Sequence, residues 1–208
     1  MENEQLKIFD ENRNQIGVAN REDVHRLGYW HEAFHCWFIS NEMGIDYLYL
    51  QLRSNTKKDY PSLLDITAAG HLLANETVQD GVREIKEEIG INISFQELIP
   101  LGIIEYSVKK ENFIDKELAN VYMYKSKESF DDFILQEEEV AGIAKTEFDH
   151  FVELWFGKRE KIKVRGFVIK EDGDKVLLDE NVERNKFVPH PIEYYKTVIE
   201  KIKEKING

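Results

Sequence analysis

A strand, a loop of small residues and an acidic amphipathic helix follow one another in this chain, and their order constrains its fold more than any other feature. Leu63 to Thr67 is an apolar segment typical of a buried strand, and Ala68 to Gly70 are small. Thr77 is a suitable N-cap with Asp80 as its capping-box partner. Gly90 supplies a C-terminal stop. The pattern predicts one helix between these caps, packed against a sheet.

The predicted helix has an apolar face and an acidic face. Aliphatic residues with helical spacing form the apolar stripe: Val78, Val82, Ile85 and Ile89. Glu84, Glu87 and Glu88 fall on a separate face, because residues three and four apart lie beside one another on a helix. Carboxylates this close repel unless a cation joins them, and oxygen ligands favour a hard cation such as Mg²⁺. With 33% of the residues charged, a solvated helix face is the alternative.

The run from Gly70 to Ile91 resembles the Nudix hydrolase family, whose box reads G-x5-E-x7-R-E-U-x-E-E-x-G-U, with U an aliphatic residue. Every specified position from Arg83 onward agrees with the box. Gly70 and Glu76 have the family's spacing, but Glu76 and Arg83 enclose six residues where the family has seven. The turn could absorb the missing residue, or the shortening could rotate Glu76 away from the cation.

The resemblance implies metal-dependent hydrolysis of a diphosphate bond in a nucleoside-diphosphate-type or related small molecule, by water attack at phosphorus. The implied ligands of Mg²⁺ or Mn²⁺ are Glu84, Glu87 and Glu88, and the implied catalytic residues are Arg83, Glu87 and Glu88. The supporting or substrate-binding candidates are Gly70, His71, Glu76, Arg53 and Glu117. A member of Glu137 to Glu139 is a further candidate for the group that deprotonates the water. Arg53 is included because a guanidinium fork matches phosphate geometry, with an exposed edge charge as the alternative.

The N-terminal half also resembles isopentenyl-diphosphate isomerase, which uses the same fold for allylic proton transfer. The similarity runs from Asp10 through His25, then Trp30 to Phe34, then Ala69 to His71. It implies a metal and acid-base site from a set of histidines and carboxylates: His25, His31, His71, Glu88, Glu117 and Asp115. The isomerase has a catalytic cysteine where this chain has Ala69, so isomerisation should fail.

Two alternatives therefore remain beside hydrolysis. One is isomerase-like activity, which Ala69 disfavours, and the other is a catalytically weak ligand-binding module, which the shortened box supports. For His25, His31 and His35 we favour structural hydrogen bonding over metal ligation, since buried histidines are commonly satisfied in that way.

The remaining patterns complete a single Nudix-type domain over residues 1–208. We expect an α/β (α+β) fold, a mixed sheet sandwiched between helices, with a core at about 30–157, an N-terminal strand extension at 1–29 and a C-terminal hairpin plus helix at 158–208. Strands are predicted at Gln5 to Phe9, Ile16 to Val18, Phe34 to Ile39, Tyr47 to Leu52, near 98–107 and 118–125, and in a hairpin from 161 to 178. Helices are predicted at 21–26, 146–156 and Ile192 to Ile206.

Composition limits the classes of partner that the chain could bind and the cellular compartment expected for it. A net charge of -12 argues against a dedicated nucleic-acid binder, because phosphate backbones are held by basic surfaces. The single cysteine, Cys36, excludes an internal disulfide and lies in an apolar strand, so we expect a buried thiol rather than a nucleophile. No signal peptide or membrane span is apparent. We expect a cytoplasmic protein that binds a small-molecule diphosphate, with neither nucleic acid nor membrane as partner; family relatives are frequently homodimers.

Overall fold

The computed structural model describes residues 4–111, 113–170 and 172–207. The strands within these ranges are β1 Gln5–Phe9, β2 Gln15–Asn20, β3 Trp30–Glu42, β4 Ile45–Arg53, β5 Leu64–Asp65, β6 Ala68–His71, β7 Ile99–Lys110, β8 Phe113–Lys125, β9 Val140–Glu147, β10 Ile162–Ile169 and β11 Lys175–Val182. The helices are α1 Arg21–Leu27, α2 Arg83–Ile89, α3 Phe148–Trp155 and α4 Ile192–Asn207, with 3₁₀ turns at Asp80–Val82, Phe95–Glu97 and Arg184–Lys186.

All of these strands belong to one hydrogen-bonded sheet. Its main path runs β11-β10-β9-β4-β3-β1-β2, and β5 and β6 add to β4 and β3. β8 joins β3 in parallel, placing Glu117 opposite His31, and β7 continues antiparallel beyond β8. The long β3 therefore pairs with β1, β4, β6 and β8, and lies at the centre of the fold.

Helices cover both faces of the sheet, because side chains alternate along its central strand. Trp37 and Ile39 of β3 pack into the core shared with α3 and α4. Phe34, Cys36 and Phe38 point the other way, into the core beneath α2. This mixed sheet between helices confirms the predicted fold class. Cys36 is a free, buried thiol, and its burial raises its pKa.

Most predicted elements are present, some with different bounds. β1, β2, α1, the β10–β11 hairpin and α4 occupy the predicted positions, and β3 and β4 are longer than predicted. The predicted strand from Leu63 to Thr67 is wrong beyond Leu64–Asp65. The small residues predicted as a loop instead form β6, because they pair with β3 from Ala33 to Cys36.

The strand β9 was not predicted. Its residues follow the acidic run Glu137 to Glu139, which favoured a loop, yet Val140–Glu147 pairs with β4 on one side and β10 on the other. The predicted helix at 146–156 therefore begins at Phe148, since Thr146 and Glu147 belong to the strand.

The two extensions continue the central sheet through β1–β2 and β10–β11. The single-domain organisation over 1–208 stays a prediction. Among the described residues, no helix has both the length and the apolar character needed to cross a membrane.

Candidate active site

The acidic helix α2 is fixed by its apolar side and its C-terminus. Ile85 and Ile89 are fully buried in the core under the sheet, with Val78 and Val82 packed at its margin. Gly90 adopts a left-handed conformation, with φ 75°, and its N–H bonds to Lys86 O. The predicted apolar stripe is therefore present and turns the acidic face toward β6.

A 3₁₀ turn precedes α2 where the sequence is one residue short of the family box. The backbone N–H and hydroxyl of Thr77 donate to Asp80 Oδ2 at 2.8 and 2.7 Å, as the capping box predicts. Regular α-helix, however, begins only at Arg83, after the 3₁₀ turn Asp80–Val82. Three residues of 3₁₀ helix advance about 6 Å, the same as four α-helical residues. The turn therefore makes up the axial rise of the missing residue.

Glu76 remains directed at the helix despite the shortening. Its Oε2 accepts hydrogen bonds from Leu73 N at 2.7 Å and from Arg83 Nη2 at 3.0 Å. The Arg83 Nε–H also donates to Glu76 Oε1. Both Glu76 oxygens are therefore engaged by Leu73 and Arg83, and a role of Glu76 toward the cation stays a prediction.

Glu88 is buried and Glu84 is largely buried on the face of α2 toward β6. The side chain of Glu84 is 12% exposed and lies against Gly70, where a β-carbon would overlap its carboxyl group. Glu88 Oε2 accepts hydrogen bonds from Ala69 N at 2.9 Å and Gln51 Nε2 at 3.3 Å. Burial raises the pKa of Glu84 to about 7. Burial is the main cause that raises the pKa of Glu88, and repulsion from Glu84 is the second.

Glu87 occupies a different position from the other two box carboxylates. Its side chain is 53% exposed, and Oε2 pairs with Arg83 Nη1 at 2.9 Å. Arg83 also bonds Glu84 at 2.7 Å and Glu76, so its guanidinium joins three carboxylates. The hydrogen bond to Glu76 and the charges of its partners raise the pKa of Arg83. The three predicted ligands therefore divide into two buried carboxylates and one at the rim.

These carboxylates line a cavity of about 320 Å³. Glu139 also lines it, with a side chain 11% exposed and paired with Lys57. Arg53 is at the cavity wall, but Nη1 binds Asp65 at 2.9 Å and its other donors bind Asp59 O. The fork proposed for a substrate phosphate is thus engaged within the protein.

Three histidines form a cluster beside the same cavity, which His25 and His71 line. The ligand atoms of His25, His31 and His71 all lie within 4.8 Å of one another, and so do those of His31, Asp115 and Glu117. The side chains come from α1, β3, β6 and β8. Sequence reasoning favoured hydrogen bonding for His25 and His31, and the Nδ1 atoms do bond Arg21 O at 2.8 Å and Tyr29 O at 3.1 Å.

Those backbone contacts also prepare the cluster for a cation. With Nδ1–H donated to a carbonyl, each Nε2 carries the lone pair that a metal requires. His31 Nε2 and Asp115 Oδ1 are buried and have no hydrogen-bond partner among the described residues. Burial, together with repulsion from His71, lowers the pKa of His31 to about 4 and keeps its ring neutral. This nitrogen and oxygen donor set fits Zn²⁺ or Mn²⁺.

Several polar residues that line the cavity or contact its carboxylates were not identified from the sequence. Gln51 and Asp65 are buried polar residues in strands, and Tyr106 donates to Glu117 Oε2 at 2.6 Å. A polar residue within an otherwise apolar strand, as at Gln51 and Asp65, was the available signal. Nothing in the local pattern distinguishes Tyr106.

Comparison with known proteins identifies the family of the chain. An uncharacterised Nudix hydrolase of Clostridium acetobutylicum is 38% identical over 199 residues, covering 96% of this chain and 97% of that protein. Isopentenyl-diphosphate Delta-isomerase 1 of Photorhabdus laumondii is 30% identical over 123 residues, covering 58% of this chain and 68% of that protein. Family-wide sequence profiles gave no match.

A solved structure from Deinococcus radiodurans, DR0079, shares the fold. Its TM-score is 0.55 at 20% identity, covering 74% of this chain and 90% of that chain. The identity of 38% along almost the whole of the clostridial protein extends well beyond the box itself. On that similarity, the chain belongs to the Nudix hydrolase family.

Proposed function

We propose that this hydrolase cleaves the diphosphate bond of a small molecule with Mg²⁺ or Mn²⁺ held by Glu84 and Glu88. The observation that carries the proposal is the pair of carboxylates at the cavity wall: burial raises the pKa of both groups, and the charge of Glu84 raises that of Glu88 further. Their oxygen-only donor set suits a hard divalent cation. A cation between them would also relieve the repulsion that burial imposes.

The other box residues support this pair. Arg83 orients Glu84 and Glu76 through its fork, and Gly70 leaves the space that the Glu84 carboxyl group occupies. The cation would offset charge developing on the leaving phosphate and lower the pKa of a water molecule. Glu87, at the rim, remains our proposal for a third ligand.

We assign proton acceptance from the attacking water to Glu139. Its carboxylate lines the cavity, and its negative charge contributes to the raised pKa of Glu88, so the two groups are close. Lys57 pairs with Glu139 and restrains it. Glu137 and Glu138 are exposed and do not line the cavity, so neither is in a position to act there.

The histidine cluster supplies a second cation centre in the proposal. His25, His31 and His71 would bind Zn²⁺ or Mn²⁺ through Nε2, with carboxylates from β8 completing the set. Because the cluster opens into the same cavity as Glu84 and Glu88, a diphosphate could contact both centres.

The substrate that we propose is a small diphosphate. A cavity of about 320 Å³ lies at the lower end of the sizes typical of ligand pockets. Nucleoside diphosphates, nucleotide sugars and isoprenoid diphosphates all carry the required group. The isoprenoid class is included because the Photorhabdus relative is named as an isopentenyl-diphosphate isomerase.

Isomerase-like proton transfer is the second candidate, and the Tyr106–Glu117 pair beside the histidines favours it. Ala69 weighs against it, because a methyl group at this cavity position has no proton to transfer. We therefore place hydrolysis first.

A mass-spectrometric screen tests the proposal. Purified protein is incubated with nucleoside di- and triphosphates, dinucleotides, nucleotide sugars and isopentenyl diphosphate, each with Mg²⁺ or Mn²⁺. We expect cleavage by the wild type and by Glu204→Gln, a change on the exposed surface of α4, and none by Glu88→Gln.

The products separate the alternatives. Cleavage by Glu88→Gln at the wild-type rate would overturn the assignment of that residue. An allylic isomer in place of cleavage would favour the isomerase candidate, and ligand binding without turnover would favour a binding module.

A further inference from the structure

A line of buried side chains connects Glu117 to the C-terminal helix. Tyr106 Oη donates to Glu117 Oε2 at 2.6 Å, and His35 Nε2 lies 3.0 Å from the same oxygen. On the other side of the ring, His35 Nδ1 lies 2.7 Å from Tyr194 Oη. All four residues are buried, and Tyr194 belongs to the first turn of α4.

The chemistry of these groups sets the direction of each hydrogen bond. An ionised carboxylate only accepts, so His35 must present Nε2–H to Glu117. When the ring is neutral, Nδ1 then carries the lone pair, and the Tyr194 hydroxyl donates to it. Two donors thus converge on Oε2 of Glu117, one from Tyr106 and one from His35.

The second oxygen of Glu117 is left for another partner. Among the described residues, no hydrogen bond reaches Oε1, while a Glu117 oxygen lies within 4.8 Å of ligand atoms of His31 and Asp115. The two hydrogen bonds to Oε2 restrict rotation of the Glu117 carboxylate. They therefore limit the positions that Oε1 can take relative to the histidine cluster.

The position of Tyr194 is set independently of Glu117. Its neighbour Tyr195 stacks on Trp155 of α3, with ring centroids 3.6 Å apart, and this ring contact does not involve the Tyr195 hydroxyl. The start of α4 is thereby fixed against α3. A hydroxyl held in this way can restrain the imidazole of His35.

We propose that His35 and Tyr194 are positioning residues that hold Glu117 with one oxygen anchored and the other directed at the histidine cluster. The C-terminal extension then helps to orient a residue that lines the cavity, in addition to packing against the sheet. This inference rests on the proposed function in one respect, since it takes the cavity as the place where cation and substrate bind.

Four variants separate positioning from simple packing. His35→Leu removes the ring donor, and His35→Gln retains an N–H donor on a side chain of similar reach. Tyr194→Phe removes only the hydroxyl that restrains His35. Tyr195→Phe is the matched control, because it removes a buried hydroxyl from the adjacent residue without touching Glu117.

The first readout is the protonation of the His35 ring, observed by ¹⁵N NMR of histidine-labelled, metal-free protein at pH 8, with His35→Gln used to assign the signals. We expect Nε2 to carry the proton and Nδ1 to be an acceptor whose shift moves in Tyr194→Phe but not in Tyr195→Phe. A proton on Nδ1 with a bare Nε2 would overturn the proposal, because His35 could not then donate to Glu117.

The second readout is the affinity of Co²⁺ as a probe of the histidine cluster, followed by visible absorption in protein whose folding is checked by circular dichroism. Loss of an outer-sphere partner typically weakens metal binding about 10- to 100-fold. We expect a loss in that range for His35→Leu, a smaller loss for Tyr194→Phe, and near-wild-type affinity for His35→Gln and Tyr195→Phe. Equal affinity in His35→Leu and wild type would overturn the positioning role.

The two proposals fail separately. Absence of Co²⁺ binding by the wild type would remove the second cation centre of the proposed function, and the His35 ring protonation would still decide the positioning. Absence of diphosphate cleavage would alter neither readout.

Discussion

The carboxyl group of Glu84 occupies the space that a β-carbon at residue 70 would fill. Gly70 belongs to β6, and its φ is not in the left-handed region, so the requirement for glycine is one of close approach. The sheet edge and the acidic helix can meet only because this residue has no side chain. The consequence is that a buried carboxylate reaches the cavity wall.

Gly70→Ala is expected to displace Glu84 and weaken divalent-cation binding at least tenfold. The added methyl group would overlap the Glu84 carboxyl group, and a displacement of one ligand is costly for a cation site. Isothermal titration with Mn²⁺ measures the effect, with kcat/KM as the functional readout. Gly17→Ala is the control, because a β-carbon there meets Ile8 at an ordinary 3.7 Å. Cation affinity unchanged in Gly70→Ala would contradict the close-approach account.

The contribution of Glu84 to the stability of the metal-free protein is expected to grow as the pH falls from 8 to 6. The pKa of Glu84 is about 7 in the folded protein, mainly because of burial, against 4.5 for an ordinary glutamate. Between these values the folded state holds the Glu84 proton more tightly than the unfolded state does, so this group raises the free energy of unfolding as the pH falls, by about 1 kcal/mol over this range. The lowered pKa of His31 acts in the opposite direction but is common to wild type and Glu84→Gln. Urea unfolding of both proteins in EDTA isolates the contribution of Glu84, and a difference between them that does not grow toward pH 6 would contradict the prediction.

Arg83→Lys is expected to lower kcat/KM at least tenfold while leaving the fold intact. A lysine keeps the positive charge but cannot bond Glu76, Glu84 and Glu87 together as the guanidinium does. Steady-state kinetics and circular dichroism measure the two effects. The matched control is Arg159→Lys, which changes the exposed pair with Glu153 and should leave kcat/KM unaltered. Full activity in Arg83→Lys would contradict the prediction, because it would show that a positive charge at this position is enough for catalysis without the guanidinium fork.

Asp65→Asn is expected to destabilise the protein by about 2 kcal/mol at pH 7. Burial opposes ionisation of Asp65, but the hydrogen bond from His190 and the charges of His190 and Arg53 prevail and set its pKa at about 2. A lowered carboxyl pKa stabilises the fold above the ordinary value of 3.8, and this contribution is lost as the pH falls toward 2. Urea unfolding at pH 7 and pH 3 should therefore show a smaller difference between variant and wild type at the lower pH. A difference in the free energy of unfolding between wild type and Asp65→Asn that grows toward pH 3 would contradict the prediction.

The acidic helix could be predicted from the sequence because its information is local. Helical spacing alone places Glu84 beside Glu88, and Gly90 marks the end of the helix. The burial of Glu84 and the exposure of Glu87 could not be predicted, since they depend on where β6 lies. The loop expected at Ala68–Gly70 is a strand because β3 offers it an edge, which is tertiary rather than local information.

The histidine cluster shows the opposite limit. His25, His31 and His71 come from three elements that only the sheet brings together, so their spacing in the chain carries no signal of proximity. The resemblance to the isomerase implies that these histidines bind a metal, whereas the usual behaviour of buried histidines favours hydrogen bonding. Both descriptions apply to His25 and His31, because Nδ1 bonds the backbone while Nε2 faces the cluster. The same ring can bond the backbone through one nitrogen and face the cluster through the other. The sequence alone therefore cannot separate a structural histidine from a metal-binding one.

The parallel pairing of β3 with β8 places His31 opposite Glu117. A cation shared by these two residues would cross-link the strands at their pairing site, so opening either strand would first require its release. Amide hydrogen exchange should therefore slow along β8 when the cluster is loaded, including at residues that touch no ligand. Because of this register, cation binding at the cluster would couple the opening of β3 to the opening of β8, and tighter binding would make the sheet unfold more cooperatively.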